Sequence, residues 1–216
     1  MHSPTHKMDI LIALYITCIA ISELMGAKTF PLHIPGGITL NASVAIFVLP
    51  LVFTINDVIT EVYGKERTRS VVRSGLYIIA LLLFFSLFAT WLPASGRFAA
   101  TEAAYDTIFG LSARISAASL IAFASAEYMD VLIFSKIRER LGKKRLWLRN
   151  NLSNIISQFF DTTLFMTLAF YSFNQDFRTN FVFLVSLILP YWLLKCGMSL
   201  IETPFVYWGV KWLKRH

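Results

Sequence analysis

Asn150–Phe173, NNLSNIISQFFDTTLFMTLAFYSF, reads as a membrane-spanning helix with a polar seam. Asn151, Asn154, Gln158 and Asp161 follow i, i+3, i+7, i+10 spacing and share one helical face. Amides and a carboxylate at bilayer depth are costly unless they meet protein partners or a water-lined cavity, so such residues mark substrate or ion pathways. The competing reading is a helix–helix contact held by amide hydrogen bonds. Four polar groups in register favour the cavity.

The surrounding chain suits this reading. Its 216 residues are 56% hydrophobic and its mean hydropathy is +0.60, too apolar for a soluble globular domain. The fold class expected is an all-α polytopic integral membrane protein. A hydrocarbon core about 30 Å thick needs about 20 mostly apolar residues per helix. Six transmembrane helices are predicted near 9–25, 42–63, 71–92, 112–134, 150–173 and 181–213, forming one transmembrane domain over 1–216.

Between the first two helices, PLHIPGGITLN carries two prolines and paired glycines, which forbid helix and predict a turn or a partly re-entrant loop at the site entrance. The sixth segment holds Pro190, Gly197 and Pro204, so a broken or tilted helix is expected there. The polar start MHSPTHKMD has no small-residue cleavage site after it, so the first helix is expected to be retained.

The net charge of +7 is explained by topology rather than by a nucleic-acid partner. Fifteen Lys and Arg fall before the first helix, after the second, after the fourth or at the end of the chain. The opposite connectors hold Lys28, Arg97 and Arg178. Both termini are therefore expected in the cytoplasm. The run KIRERLGKKRLWLR lies between two spans, where topology and contact with anionic membrane lipid account for it.

Seven carboxylates lie in or near the spans: Glu23, Asp57, Glu61, Glu127, Asp130, Asp161 and Glu202. Asp57 and Glu61 are i, i+4 on the second helix, and a solvated or Arg-paired helix end is the plain alternative for them. Glu127 and Asp130 are i, i+3 on the fourth, with Arg114 near its other end as an intramembrane cation. Lys195, Ser199 and Glu202 follow i, i+4, i+7, and Lys195 is the most deeply placed cation. A pair between Lys195 and Asp161 or Glu202 would offset both desolvation costs.

No enzyme constellation emerges: the chain has no His-Glu-x-x-His, no Gly-x-Ser-x-Gly and no Walker loop. His2, His6, His33 and His216 do not cluster, and Cys18 and Cys196 lie in apolar segments far from any ligand spacing. Neither a metal nor a cofactor is expected. An intramembrane enzyme acting on lipid through Asp57, Glu61 and Mg²⁺ is the rival from another class, on thin spacing.

DVITEVYG at 57–64, RISAASLIA at 114–122, YMDVLIFSKI at 128–137 and LWLRNNLSNIISQFFDT at 146–162 together resemble the six-helix queuosine precursor transporters of the vitamin uptake transporter family. Lys28 and Lys195 also sit where that family places lysines. Ala126 and Glu127 depart from its Gly-Gln, and Leu152 from a common Gly. The resemblance implies an inner-membrane importer of 7-cyano-7-deazaguanine, 7-aminomethyl-7-deazaguanine or queuine, working as a secondary carrier with proton or cation coupling.

In that setting Asp161 or Asp130 accepts the two parallel donors of the guanine-like edge. Gln158, Asn154 or Lys195 donates to its carbonyl and ring nitrogen, and Glu127 suits a cationic aminomethyl cargo. Asp57, Glu61, Arg114 and Glu202 remain as coupling or structural charges. Six helices allow a 3+3 inverted repeat, with Asp57 and Asp161 as its best pairing. An energy-coupling-factor binding subunit is the alternative with the same substrate, and a homo-oligomer is left open.

Overall fold

Apolar runs become helices in a bilayer because a helix satisfies its backbone N–H and C=O groups within its own segment. The computed structural model describes the backbone of residues 4–141, 146–201 and 203–214, with side chains described over 6–126 apart from 34 and 38, and over 155–197 and 204–214. Along it run α1 Pro4–Met25, β1 Thr29–Ile34, β2 Ile38–Ser43, α2 Leu49–Tyr63, α3 Lys65–Trp91, α4 Glu102–Leu141, α5 Leu146–Phe170, α6 Phe177–Ile201 and α7 Thr203–Lys214. A 3-10 turn at Val44–Phe47 leads into α2.

Among the described residues, five helical stretches are long and apolar enough to cross a membrane: His6–Met25, Val44–Tyr63, Lys65–Trp91, Glu102–Ala126 and Phe177–Gly197. Ile155–Phe170 is a shorter apolar helix. The multi-pass, helical character expected from the sequence is present. Several bounds differ. The third helix starts at Lys65, so the charged KERTRS segment is helical before the apolar run begins, and the fourth extends over 40 residues rather than 112–134.

One further correction concerns a connector. The segment expected as a turn or re-entrant loop is a two-stranded hairpin, β1 paired with β2. Its tip needs Gly36 and Gly37, whose φ angles of 107° and 80° are open to glycine at little steric cost. The sixth predicted segment, 181–213, is broken as expected, with α6 ending at Ile201 and α7 starting at Thr203. Pro204 accounts for the second start, since proline fits the first turn of a helix and breaks its interior.

The chain divides into two compact units, Met1–Phe30, Ser43–Ser116 and Gly197–His216 in the first, Pro31–Ala42 and Ala117–Cys196 in the second. In the first, α1 buries Met8, Leu11, Tyr15 and Cys18, one helical stripe, against Val52, Ile55, Val58 and Ile59 of α2, Val71 of α3 and Leu213 of α7. Gly209 lets α7 press on α2: a Cβ there would lie 2.7 Å from Val58 Cγ2. Lys7 Nζ donates to the Trp212 carbonyl at 3.0 Å, joining the start of α1 to α7. Ser112 Oγ donates to the Leu24 carbonyl at 2.9 Å, joining α4 to α1.

In the second unit, Asn41 Nδ2 of the hairpin donates to Ser186 Oγ of α6 at 2.7 Å. Buried Asn180 ties down the α5–α6 connector, accepting from Ser172 N–H at 2.9 Å and donating to its carbonyl at 2.8 Å. Asp176 caps α6, accepting from Thr179 N–H and from its hydroxyl. These bonds hold the exposed Asp176 carboxyl below its ordinary range.

Candidate functional site

The described part of the polar seam read from the sequence, Gln158 and Asp161, meets α6. On α5, Ser157, Thr162, Met166 and Ala169 are buried, while Gln158 and Asp161 are half-buried. Facing them, α6 presents Trp192, Lys195 and Cys196, grouped by its i, i+3, i+4 spacing. Lys195 Nζ lies 2.7 Å from Asp161 Oδ2, a charge-assisted hydrogen bond between side chains 34 residues apart in sequence. Their side chains are 17% and 28% exposed. The pair is thus shielded enough to be strong and open enough to be reached.

Its surroundings are amide, thiol and aromatic. Cys196 Sγ donates to Gln158 Oε1 at 3.8 Å. Trp192 Nε1 donates to the Ile155 carbonyl at 3.2 Å, and its ring meets Phe159 edge-on with centroids 5.3 Å apart. Beside Asp161, the buried Thr162 and Thr163 hydroxyls have no hydrogen-bond partner among the described residues. The arrangement supplies one anion, one cation and an amide, with two aromatic rings nearby, groups able to hydrogen-bond and stack a polar planar ligand.

Asp161, Gln158 and Lys195 are therefore brought together. The side chains of Asn151, Asn154, Glu127 and Asp130 lie outside the described residues, as does Glu202. Asp57, Glu61 and Arg114 belong to the other compact unit. There Asp57 and Glu61 are exposed on α2, off the face that buries Val52, Ile55 and Ile59, and Arg114 is half-buried between Ala113 and Ile115.

Two features were not singled out from the sequence as sites. Glu23, near the end of α1, is only 4% exposed. A cavity of about 470 Å³ lies between the end of α3 and the start of α4, lined by Phe85, Phe88, Phe98, Tyr105, Glu102 and Asp106 among others. Glu102 Oε1 accepts from Ala94 N–H at 2.9 Å and so shapes its rim. The i, i+4 spacing of Glu102 and Asp106 was the available signal. Among the described residues, no group of three or more His, Cys, Asp or Glu is placed to hold a metal.

Residues 43–209 match the family described as "Putative vitamin uptake transporter". The chain belongs to this family. It is similar to the "Probable queuosine precursor transporter" of Bacillus subtilis (strain 168), with 34% identity over 161 residues, 72% of this chain and 66% of the relative. It is also similar to the "Queuosine precursor transporter" of Escherichia coli (strain K12), 25% identical over 134 residues, 62% of this chain and 58% of the relative.

The "Probable queuosine precursor transporter" of Haemophilus influenzae (strain ATCC 51907 / DSM 11121 / KW20 / Rd) is 24% identical over 163 residues, 75% of this chain and 63% of the relative. The chain thus spans between 58% and 66% of the length of these curated relatives. No solved structure matches the chain. As a member of the vitamin uptake transporter family, it carries both halves of the Asp161–Lys195 pair within the matched residues.

Proposed function

We propose that this chain is a membrane carrier for queuosine precursors, 7-deazaguanine bases, and that it moves them without transforming them. The observation that carries the reading is the half-buried Asp161–Lys195 pair in a polar seam of a vitamin uptake transporter whose relatives are named for queuosine precursors. A carboxylate matches the ring N–H and exocyclic amine of a guanine-like edge. Gln158 and Lys195 supply donors for the remaining acceptors, and the Phe159 and Trp192 rings offer stacking faces. Asn154, Asp130 and Glu127 complete the proposed set, with Glu127 suited to a cationic aminomethyl group.

In this reading the carrier is one domain of six spans, α5 supplying the sixth, set in the cytoplasmic membrane with both termini inside. The bias of Lys and Arg toward one set of connectors supports that orientation. Import is driven by a proton or cation gradient acting on a buried carboxylate.

The test is uptake of labelled 7-deazaguanine precursors by cells unable to make queuosine, comparing the parent chain with Asp161→Asn. Saturable uptake by the parent, lost in a correctly inserted Asp161→Asn, is expected. Absence of uptake by a well-inserted parent contradicts the reading.

A further inference from the structure

The Asp161–Lys195 pair has a consequence for which bases the site accepts. Lys195 Nζ sits on Asp161 Oδ2 at 2.7 Å, so a ligand edge reaching that carboxylate must take the place of the ammonium. Separating the two charges leaves each short of a partner in a half-buried setting, which is unfavourable unless both find replacements. A ligand with donors alone satisfies Asp161 and strands Lys195. A ligand with an acceptor alone does the reverse.

We propose that the Asp161–Lys195 ion pair is the selectivity element of the site, opened only by a base that presents two adjacent N–H donors and a carbonyl acceptor on one edge. This rests on the carrier reading above and adds its selection rule. A 2-amino-6-oxo base meets the rule: its ring N–H and exocyclic amine bond the two carboxylate oxygens of Asp161, and its carbonyl accepts from Lys195 Nζ. A 6-amino base offers one donor and a ring-nitrogen acceptor on that edge: set as the oxo base is, it turns its amine to the Lys195 ammonium and its lone pair to Asp161, and turned over it fills only one oxygen of Asp161. Removing the 2-amino group leaves one Asp161 oxygen without its bond.

Gln158 stands beside the pair with its Oε1 accepting from Cys196. The half-buried depth favours selection: hydrogen bonds to charged groups weigh more where water is partly excluded, and the wrong base leaves a charge rather than a neutral group unpaired.

The experiment is equilibrium binding of labelled 7-cyano-7-deazaguanine to the full chain in lipid nanodiscs. Competitors are unlabelled 7-cyano-7-deazaguanine, its 2-deamino analogue and 7-deazaadenine. The parent is expected to bind both competitor analogues roughly 10- to 100-fold more weakly than the 2-amino-6-oxo base. In Lys195→Met the preference over 7-deazaadenine is expected to narrow by roughly tenfold, since the bond from the ammonium to the carbonyl is gone while Asp161 still favours two donors, and Lys195→Arg keeps most of the parent's margin.

A folded Lys195→Met protein that keeps the full preference overturns the proposal. So does equal binding of the 2-deamino analogue by the parent. Should Lys195→Met fail to fold, the Arg variant and the 2-deamino comparison still decide the point. A folded parent that binds none of the bases overturns the carrier reading itself, a result distinct from binding without the preference.

Discussion

Lys195 Nζ on α6 reaches Asp161 Oδ2 on α5 at 2.7 Å, with both side chains partly open to a ligand. Removing one member leaves a charge without its counterpart, so Lys195→Met is expected to destabilise the protein by about 1–3 kcal/mol. Adding Asp161→Asn to it is expected to restore part of that loss, because no net charge then remains at the site. Thermal unfolding of the singles and the double in one detergent measures the coupling. Additive losses would show that the two side chains do not interact.

Gly209 of α7 lies against Val58 of α2, where an added Cβ would come within 2.7 Å of Cγ2. Gly209→Ala therefore overpacks a well-filled contact and is expected to lower stability by about 1–3 kcal/mol. Val58→Ala in the same chain makes room and is expected to recover part of the loss, despite creating a cavity when introduced alone. The readout is again thermal unfolding, and a neutral Gly209→Ala would contradict the close approach.

The hairpin is joined to α6 by Asn41 Nδ2 and Ser186 Oγ at 2.7 Å. Asn41→Ala removes a bond worth about 1 kcal/mol. Amide hydrogen exchange over 31–42 is expected to quicken by roughly fivefold, with α1 unaffected. Unchanged exchange in the hairpin would show that its own strand pairing suffices.

Asp176 accepts from the Thr179 N–H and hydroxyl at the start of α6, and these bonds hold its carboxyl below the ordinary range. A carboxyl lowered in the folded state stabilises that state above its unfolded value of about 3.9 and loses the effect as the pH falls through the folded value. Asp176→Asn keeps an acceptor for the cap but does not titrate. The parent's advantage in unfolding temperature over this variant is expected at neutral pH and to shrink below about pH 4. An advantage that is constant down to pH 2.5 would rule out the charge as its source.

What could be read from the residues was whatever depends on one helix at a time. Runs of about 20 apolar residues follow from bilayer thickness, and the seam of Gln158 and Asp161 follows from helical periodicity alone. The Asp161–Lys195 pair was legible as one of two options because few charges lie deep in the last two long segments. The hairpin was harder. Pro31, Pro35 and the two glycines dominate that stretch, while the alternation in Ile38-Thr39-Leu40-Asn41 is the weaker strand signal. The burial of Glu23 depends on elements distant in sequence meeting, and the cavity beside Glu102 depends on how the connector sets α4 against α3, neither of which a local pattern encodes.

The most direct measurement is transport by the purified chain alone, reconstituted into liposomes and given labelled 7-cyano-7-deazaguanine with an inward proton gradient. The account predicts saturable accumulation by the parent chain that is lost in Asp161→Asn and competed weakly by 7-deazaadenine. Accumulation that persists undiminished in Asp161→Asn, or none at all from a folded and correctly inserted parent, would contradict it.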